Sequence, residues 1–134
     1  MQTDPENTNR KLRVLVVDDH RDSADALAWV LHNIGHQVRT AYDATSALRA
    51  FDELVPEVVF QDLHLPARHS GLEIAREIRK RRPSARAVLI AMTGAGDAAT
   101  LRASERDAFD HLILKPVGLE QLTDMLGKAS LRAA

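Results

Sequence analysis

Five short apolar runs, each followed by a stretch of helical period, constrain this chain more than any other feature. The runs are LRVLVV (12–17), QVRTA (37–41), EVVFQD (57–62), AVLIAM (87–92) and HLILK (111–115). They are rich in β-branched and aliphatic residues and too short for buried helices, so they predict strands. Between them, RDSADALAWVLHNIG (21–35) sets Leu27, Val30, Leu31 and Ile34 on one helical face and ends at Gly35. DATSALRAFDELV (43–55) predicts a helix with Asp43 as N-cap, and GLEIAREIRKRR (71–82) one that Pro83 ends. DAATLRASERDA (97–108) and GLEQLTDMLGKASL (118–131) complete five helices, the former with few large apolar residues. Strict strand–helix alternation predicts an α/β fold on a parallel sheet, with right-handed crossovers covering both faces. For five strands this favours a doubly wound sheet of order 2-1-3-4-5, with ligands bound beyond the carboxyl ends of the strands.

Length and composition narrow the function. A chain of 134 residues suits one domain, and 45% hydrophobic content with 4% aromatic predicts an aliphatic core. There are no cysteines, which excludes disulfides, thiolate metal sites and cysteine nucleophiles. A formal net charge of −1 offers no global field for nucleic acid or anionic membrane. No segment reads as a signal peptide or a membrane span. The expectation is a cytoplasmic domain over 12–131, preceded by a disordered polar extension over 1–11 and with no output domain.

The polar residues fall in one place. Asp18 and Asp19 follow the first strand, Asp62 ends the third, Thr93 follows the fourth and Lys115 closes the fifth. In the predicted order the first and third strands are neighbours, so three carboxylates converge on one sheet edge. Such a group needs a cation, and an all-oxygen set favours Mg²⁺. Asp62, alone on the central strand, is the better nucleophile and the paired acids suit the metal. Lys115 and Thr93 are then placed to stabilise a transferring phosphoryl group.

VVDDH, QDLHLP, TGAG and LKPV together resemble the response-regulator receiver domain of two-component signalling, over residues 12 to about 130. The resemblance implies a flavodoxin-like three-layer α/β/α fold. It implies Asp62 as phosphoacceptor, charged by a sensor histidine kinase or a histidine phosphotransfer protein. Asp19 and Asp62 would bind Mg²⁺ directly, Asp18 through water, and His64 through its main-chain carbonyl. Thr93 would be the switch hydroxyl, Lys115 the phosphate-pairing lysine, and Lys115–Pro116 a cis bond. The output would be contact with a downstream protein, not nucleic acid or membrane, and the chain would be no enzyme beyond assisting its own phosphorylation and dephosphorylation. The alternatives are a pseudo-receiver that binds partners without phosphorylation and a small phosphatase with an aspartyl-phosphate intermediate.

Several positions depart from the family pattern. Leu112 stands where an aromatic is frequent, which argues against an aromatic-flip readout. Gln61 replaces an apolar residue, Ala108 precedes Phe109 where glycine is usual, and the loop after Pro66 is one residue longer. Ala95 and His64 flank the expected path of the attacking water and would set phosphoryl lifetime. The poorly apolar helix over 97–108, with the fifth strand and last helix, is expected to shift on phosphorylation. Trp29 lies opposite the apolar stripe of its helix and is expected to be exposed, as a boundary residue or a donor contact. His32 and His36 flank a helix end and are expected to face its dipole or solvent. His64 and His69 present no zinc ligand set, and the basic run Arg79 to Arg82 closes a helix, where cations suit the carboxyl end.

Overall fold

The computed structural model describes residues 10–63, 70–81, 87–94, 101 and 106–133. Five strands form one parallel sheet: β1 (Arg13–Val17), β2 (Gln37–Ala41), β3 (Val58–Asp62), β4 (Val88–Thr93) and β5 (His111–Leu114). Their order is β2-β1-β3-β4-β5, as the alternation predicts. Four helices are described: α1 (Arg21–Asn33), α2 (Ala44–Leu54), α3 (Ser70–Arg81) and α4 (Leu119–Ala133). The helix expected over 97–108 falls mostly outside the described residues, and so does most of the extension over 1–11.

Local chemistry sets the boundaries. Asp43 caps α2, its Oδ1 accepting the Ser46 N–H at 2.8 Å, and that bond holds its carboxyl below the usual carboxylate range. Gly35 takes φ +107° just past α1, a conformation that favours glycine. Ile34, expected on the buried stripe, is the C-cap and is 41% exposed, because the helical turn has ended before it.

Strand pleating divides the core in two. Val14, Val16, Val58, Phe60, Ile90 and Met92 pack with Leu31 of α1 and with Leu122, Met125 and Leu126 of α4. Leu15, Val17, Val59, Leu89 and Ala91 pack on the other face with Phe51 and Leu54 of α2 and Ile74 and Ile78 of α3. Each fully buried large aliphatic side chain contributes about 1.5–3 kcal/mol, so a sheet buried on both faces is a rigid base for its strand ends. β3 is buried at all five positions.

The amino ends of the strands carry a closed polar cluster. Glu57 accepts from the Arg13 N–H at 2.9 Å and from an Arg10 guanidinium at 3.0 Å, and Arg10 also donates to Ser130 Oγ at 3.4 Å. His36 is not at a solvated helix end: it is 4% exposed and its Nδ1 accepts the Leu12 N–H at 3.0 Å. The reason is register. β2 pairs with β1 from Arg13↔Gln37 onward, which sets residue 36 beside Leu12. Burial lowers the pKa of His36 from its ordinary value, against an opposing pull from Glu57.

Candidate functional site

The site is built by continuing strand register one step past the sheet. Val17 pairs with Gln61 and Ala41, so the next residues, Asp18 and Asp62, stand opposite each other. Asp18 is held there by its N–H, which donates to Ala41 O at 3.1 Å. Asp62 extends the row of Val58 and Phe60. Gln61 therefore faces the other layer, where its amide donates to the Gly71 carbonyl of α3. Gly71 is closely approached: a Cβ there would sit 3.1 Å from Leu63 Cα, so a side chain would need Leu63 to give by a few tenths of an ångström. On the far side, the Lys115 N–H donates to Thr93 O at 2.8 Å, which fixes the lysine one step beyond β5. The Lys115–Pro116 bond is cis, as the resemblance implies.

These placements bring Asp18, Asp19, Asp62 and Lys115 together. Lys115 Nζ donates to Asp62 Oδ2 at 2.9 Å and lies 3.6 Å from Asp18 Oδ2. Asp18 and Asp62 are 2% and 1% exposed, so both carboxylates sit out of water. Burial pushes the Asp18 carboxyl above the usual carboxylate range. The adjacent Asp62 adds to this, while the His20 N–H, at 3.0 Å from Asp18 Oδ1, and Lys115 oppose it. Burial alone would lower Lys115, but its bond to Asp62 and the charges of both acids raise it overall. Lys115 is thus a fixed ammonium at neutral pH.

Asp19 Oδ1 is cut off from solvent and has no hydrogen-bond partner among the described residues. A buried carboxylate oxygen without a donor is costly unless a cation meets it. One ligand atom from each of Asp18, Asp19, His20 and Asp62 lies within 4.8 Å of the others. Two atoms on one Mg²⁺ lie at most about 4.2 Å apart, twice the ~2.1 Å bond, so a few tenths of an ångström of closure suffice. The donor set fits a hard divalent ion: three carboxylates, two of them buried, against one ammonium.

The other expected site residues divide. Thr93 is fully buried at the carboxyl end of β4, its Oγ1 3.5 Å from Gly94 O. The His64 carbonyl, Ala95 and the loop after Pro66 lie outside the described residues. Leu112 is half-buried against the core on the α2/α3 face. Sequence reading did not single out His20, although its place beside two acids was a signal. A groove of about 720 Å³ runs from Asp18 and Lys115 between α1 and α4, lined by Leu27, Val30, Met92, Pro116 and Leu122. Trp29 is not part of its lining and is 67% exposed on α1.

Comparison with known proteins agrees with this architecture. Virulence sensor protein BvgS of Bordetella bronchiseptica is 30% identical over 99% of this chain, which spans 11% of that protein's length. Its counterpart in Bordetella pertussis is 31% identical over 97% of the chain, again 11% of the relative. A CheY-like response regulator receiver domain from Methylobacillus flagellatus superposes with a TM-score of 0.80 at 25% identity, covering 90% of this chain and 99% of that one. TrrA from Thermotoga maritima, a response regulator solved in complex with Mg²⁺ and BeF, gives a TM-score of 0.75 at 30% identity, covering 90% and 99%. Among the described residues no helix is long and apolar enough to cross a membrane. The profile of the response regulator receiver domain matches residues 14–127, and the chain belongs to that family.

Proposed function

We propose that the chain is a working phosphoacceptor, taking a phosphoryl group on Asp62 from a phosphohistidine of a sensor kinase or a histidine phosphotransfer protein. The observation that carries this reading is the carboxylate cluster at the strand ends, with Lys115 on Asp62 and a buried Asp19 oxygen that has no hydrogen-bond partner among the described residues. The similar TrrA, solved in complex with Mg²⁺ and BeF, supports it.

Asp18, Asp19 and Asp62 would hold Mg²⁺, which would neutralise charge on the phosphoryl oxygens. An Asp62 carboxylate oxygen attacks phosphorus in line, an O–P bond forms, the donor's P–N bond breaks and its electron pair stays on the imidazole. Lys115, already ammonium, bonds the phosphoryl oxygens as charge moves onto them. The Thr93 hydroxyl lies at the same sheet end and can donate to one of those oxygens. Water later cleaves the acyl phosphate, which returns the carboxylate and inorganic phosphate. The chain assists only its own modification, is not otherwise an enzyme, works in the cytoplasm and signals by contact with a protein partner.

Incubation with acetyl phosphate or beryllofluoride tests this, with and without Mg²⁺ and with Asp62→Asn as control. A covalent or fluoride adduct that needs both Mg²⁺ and Asp62 is expected. No adduct on the wild-type chain would leave a phosphorylation-independent binding module, and an adduct persisting in Asp62→Asn would move the acceptor elsewhere.

A further inference from the structure

We infer that His20 is an additional side-chain ligand at this site and biases it toward borderline transition ions such as Ni²⁺ over Mg²⁺. The inference rests on the metal-binding part of the proposed function and adds an assignment to a residue outside the carboxylate set.

Three observations converge on His20. It occupies the N-cap of α1 with φ −82° and ψ 104°, yet its side chain makes no capping hydrogen bond. Asp, Asn, Ser or Thr would cap that position better, so the helix does not account for an imidazole there. Its backbone N–H is bound to Asp18 Oδ1 at 3.0 Å, which anchors the residue over the acids. Its Nδ1 stands 3.7 Å from Asp18 Oδ1 and 3.5 Å from Asp19 Oδ1, the same oxygen that is buried without a hydrogen-bond partner among the described residues. Both separations are too long for good hydrogen bonds but shorter than the ~4.2 Å that two atoms on one ion can span.

The neighbouring cation is engaged elsewhere. Arg21 lies over the Tyr42 ring at 4.2 Å, and the Tyr42 hydroxyl is 2.6 Å from Asp25 Oδ1. Position 20 thus adds a nitrogen donor beside Asp19. With His20 exposed, its ring can close on an ion without disturbing the core.

Chemistry then sets the preference. Mg²⁺ prefers oxygen and keeps its waters, so an imidazole adds little to its binding. For Ni²⁺, Co²⁺ or Zn²⁺ a neutral imidazole is a favoured ligand, and affinity rises along the divalent series at any mixed nitrogen–oxygen site. A receiver with His20 in place would answer to the supply of such ions as well as to its phosphodonor.

Calorimetric titration of the full chain with Ni²⁺ and, separately, Mg²⁺ tests this in wild type, His20→Ala and His32→Ala. The absorption bands of bound Ni²⁺ give a second readout. Wild type is expected to prefer Ni²⁺ by about tenfold or more, and His20→Ala to remove most of that preference and shift the bands. His32→Ala should leave the preference in place. The inference is overturned if His20→Ala leaves the Ni²⁺-to-Mg²⁺ ratio and the bands unchanged, or if His32→Ala lowers the ratio equally. If Mg²⁺ binds and the ratio does not move, this inference alone falls. If wild type takes neither ion, the metal-binding basis of the proposed function falls with it.

Discussion

The two ends of the sheet carry the same kinds of charged residue and treat them in opposite ways. At the amino end, Glu57 meets Arg10, the Arg13 N–H and the Arg13 guanidinium at 3.8 Å, and His36 closes on a backbone amide. At the carboxyl end, three carboxylates cluster with Lys115 on two of them, and an oxygen of the third is buried without a hydrogen-bond partner among the described residues. Net charge does not explain the contrast, since the whole chain stands at −1. The amino end is satisfied by the protein alone. The carboxyl end is left with more carboxylates than its one ammonium balances, the kind of surplus a binding site carries.

The contrast can be broken most strongly at Lys115. Without divalent ions, Lys115→Ala should lose about 3 kcal/mol, because the buried acids keep their repulsion and lose their ammonium. Urea denaturation in EDTA, followed by circular dichroism, measures it, and adding Asp62→Asn should restore most of the loss. A variant as stable as wild type would show that the acids do not depend on the lysine. Next comes Glu57→Ala, expected to cost about 1 kcal/mol by removing the acceptor of the Arg13 N–H and of Arg10, both of which water can reach. That loss should be the same with Mg²⁺ or EDTA, since the amino end needs no ion; a Mg²⁺-dependent loss would contradict the division.

Asp18→Asn should act in the opposite direction. It keeps an acceptor for the His20 N–H but removes one like charge, so it should gain about 1 kcal/mol in EDTA. Saturating Mg²⁺ should stabilise wild type more than this variant, and thermal melts with both additions would show it. Equal stabilisation of the two would exclude Asp18 from the ion's surroundings.

The smallest effect is in pH dependence. His36 titrates below its ordinary 6.5 when folded, so the unfolded chain binds more protons there; the stability it contributes is complete above 6.5 and is lost as pH falls. Asp18 titrates above its ordinary 3.8 when folded, so the folded chain binds more protons, and acidification from neutral pH recovers stability. The ends therefore answer acid with opposite signs. His36→Asn should remove the loss that sets in as pH falls below 6.5, while keeping an acceptor for the Leu12 N–H. Identical wild-type and variant profiles in EDTA would rule out the amino-end contribution.

How much could be read in advance follows from how local each signal is. Strands such as β3 were legible because composition and length are local, and Asp43 and Gly35 marked their helix ends for reasons a few residues long. The meeting of Asp18 with Asp62 was legible too, because the crossover rules fix which strand ends adjoin. His36 was misread because its burial comes from the pairing of β2 with β1, which no window around residue 36 contains. Gln61 stood out as unusual, but its partner Gly71 lies ten residues on and in another layer. Ile34 kept the helical spacing while the helix stopped one residue earlier, a limit that periodicity alone does not show.

Trp29 is the chain's one tryptophan, and it is 67% exposed. Its indole already glows as a water-bathed ring in the native protein, so melting the core will change its colour little. A molecule laid across α1 would dry that ring and move its emission to the blue. The protein thus carries an unlabelled optical gauge that is nearly blind to denaturation and sensitive to company.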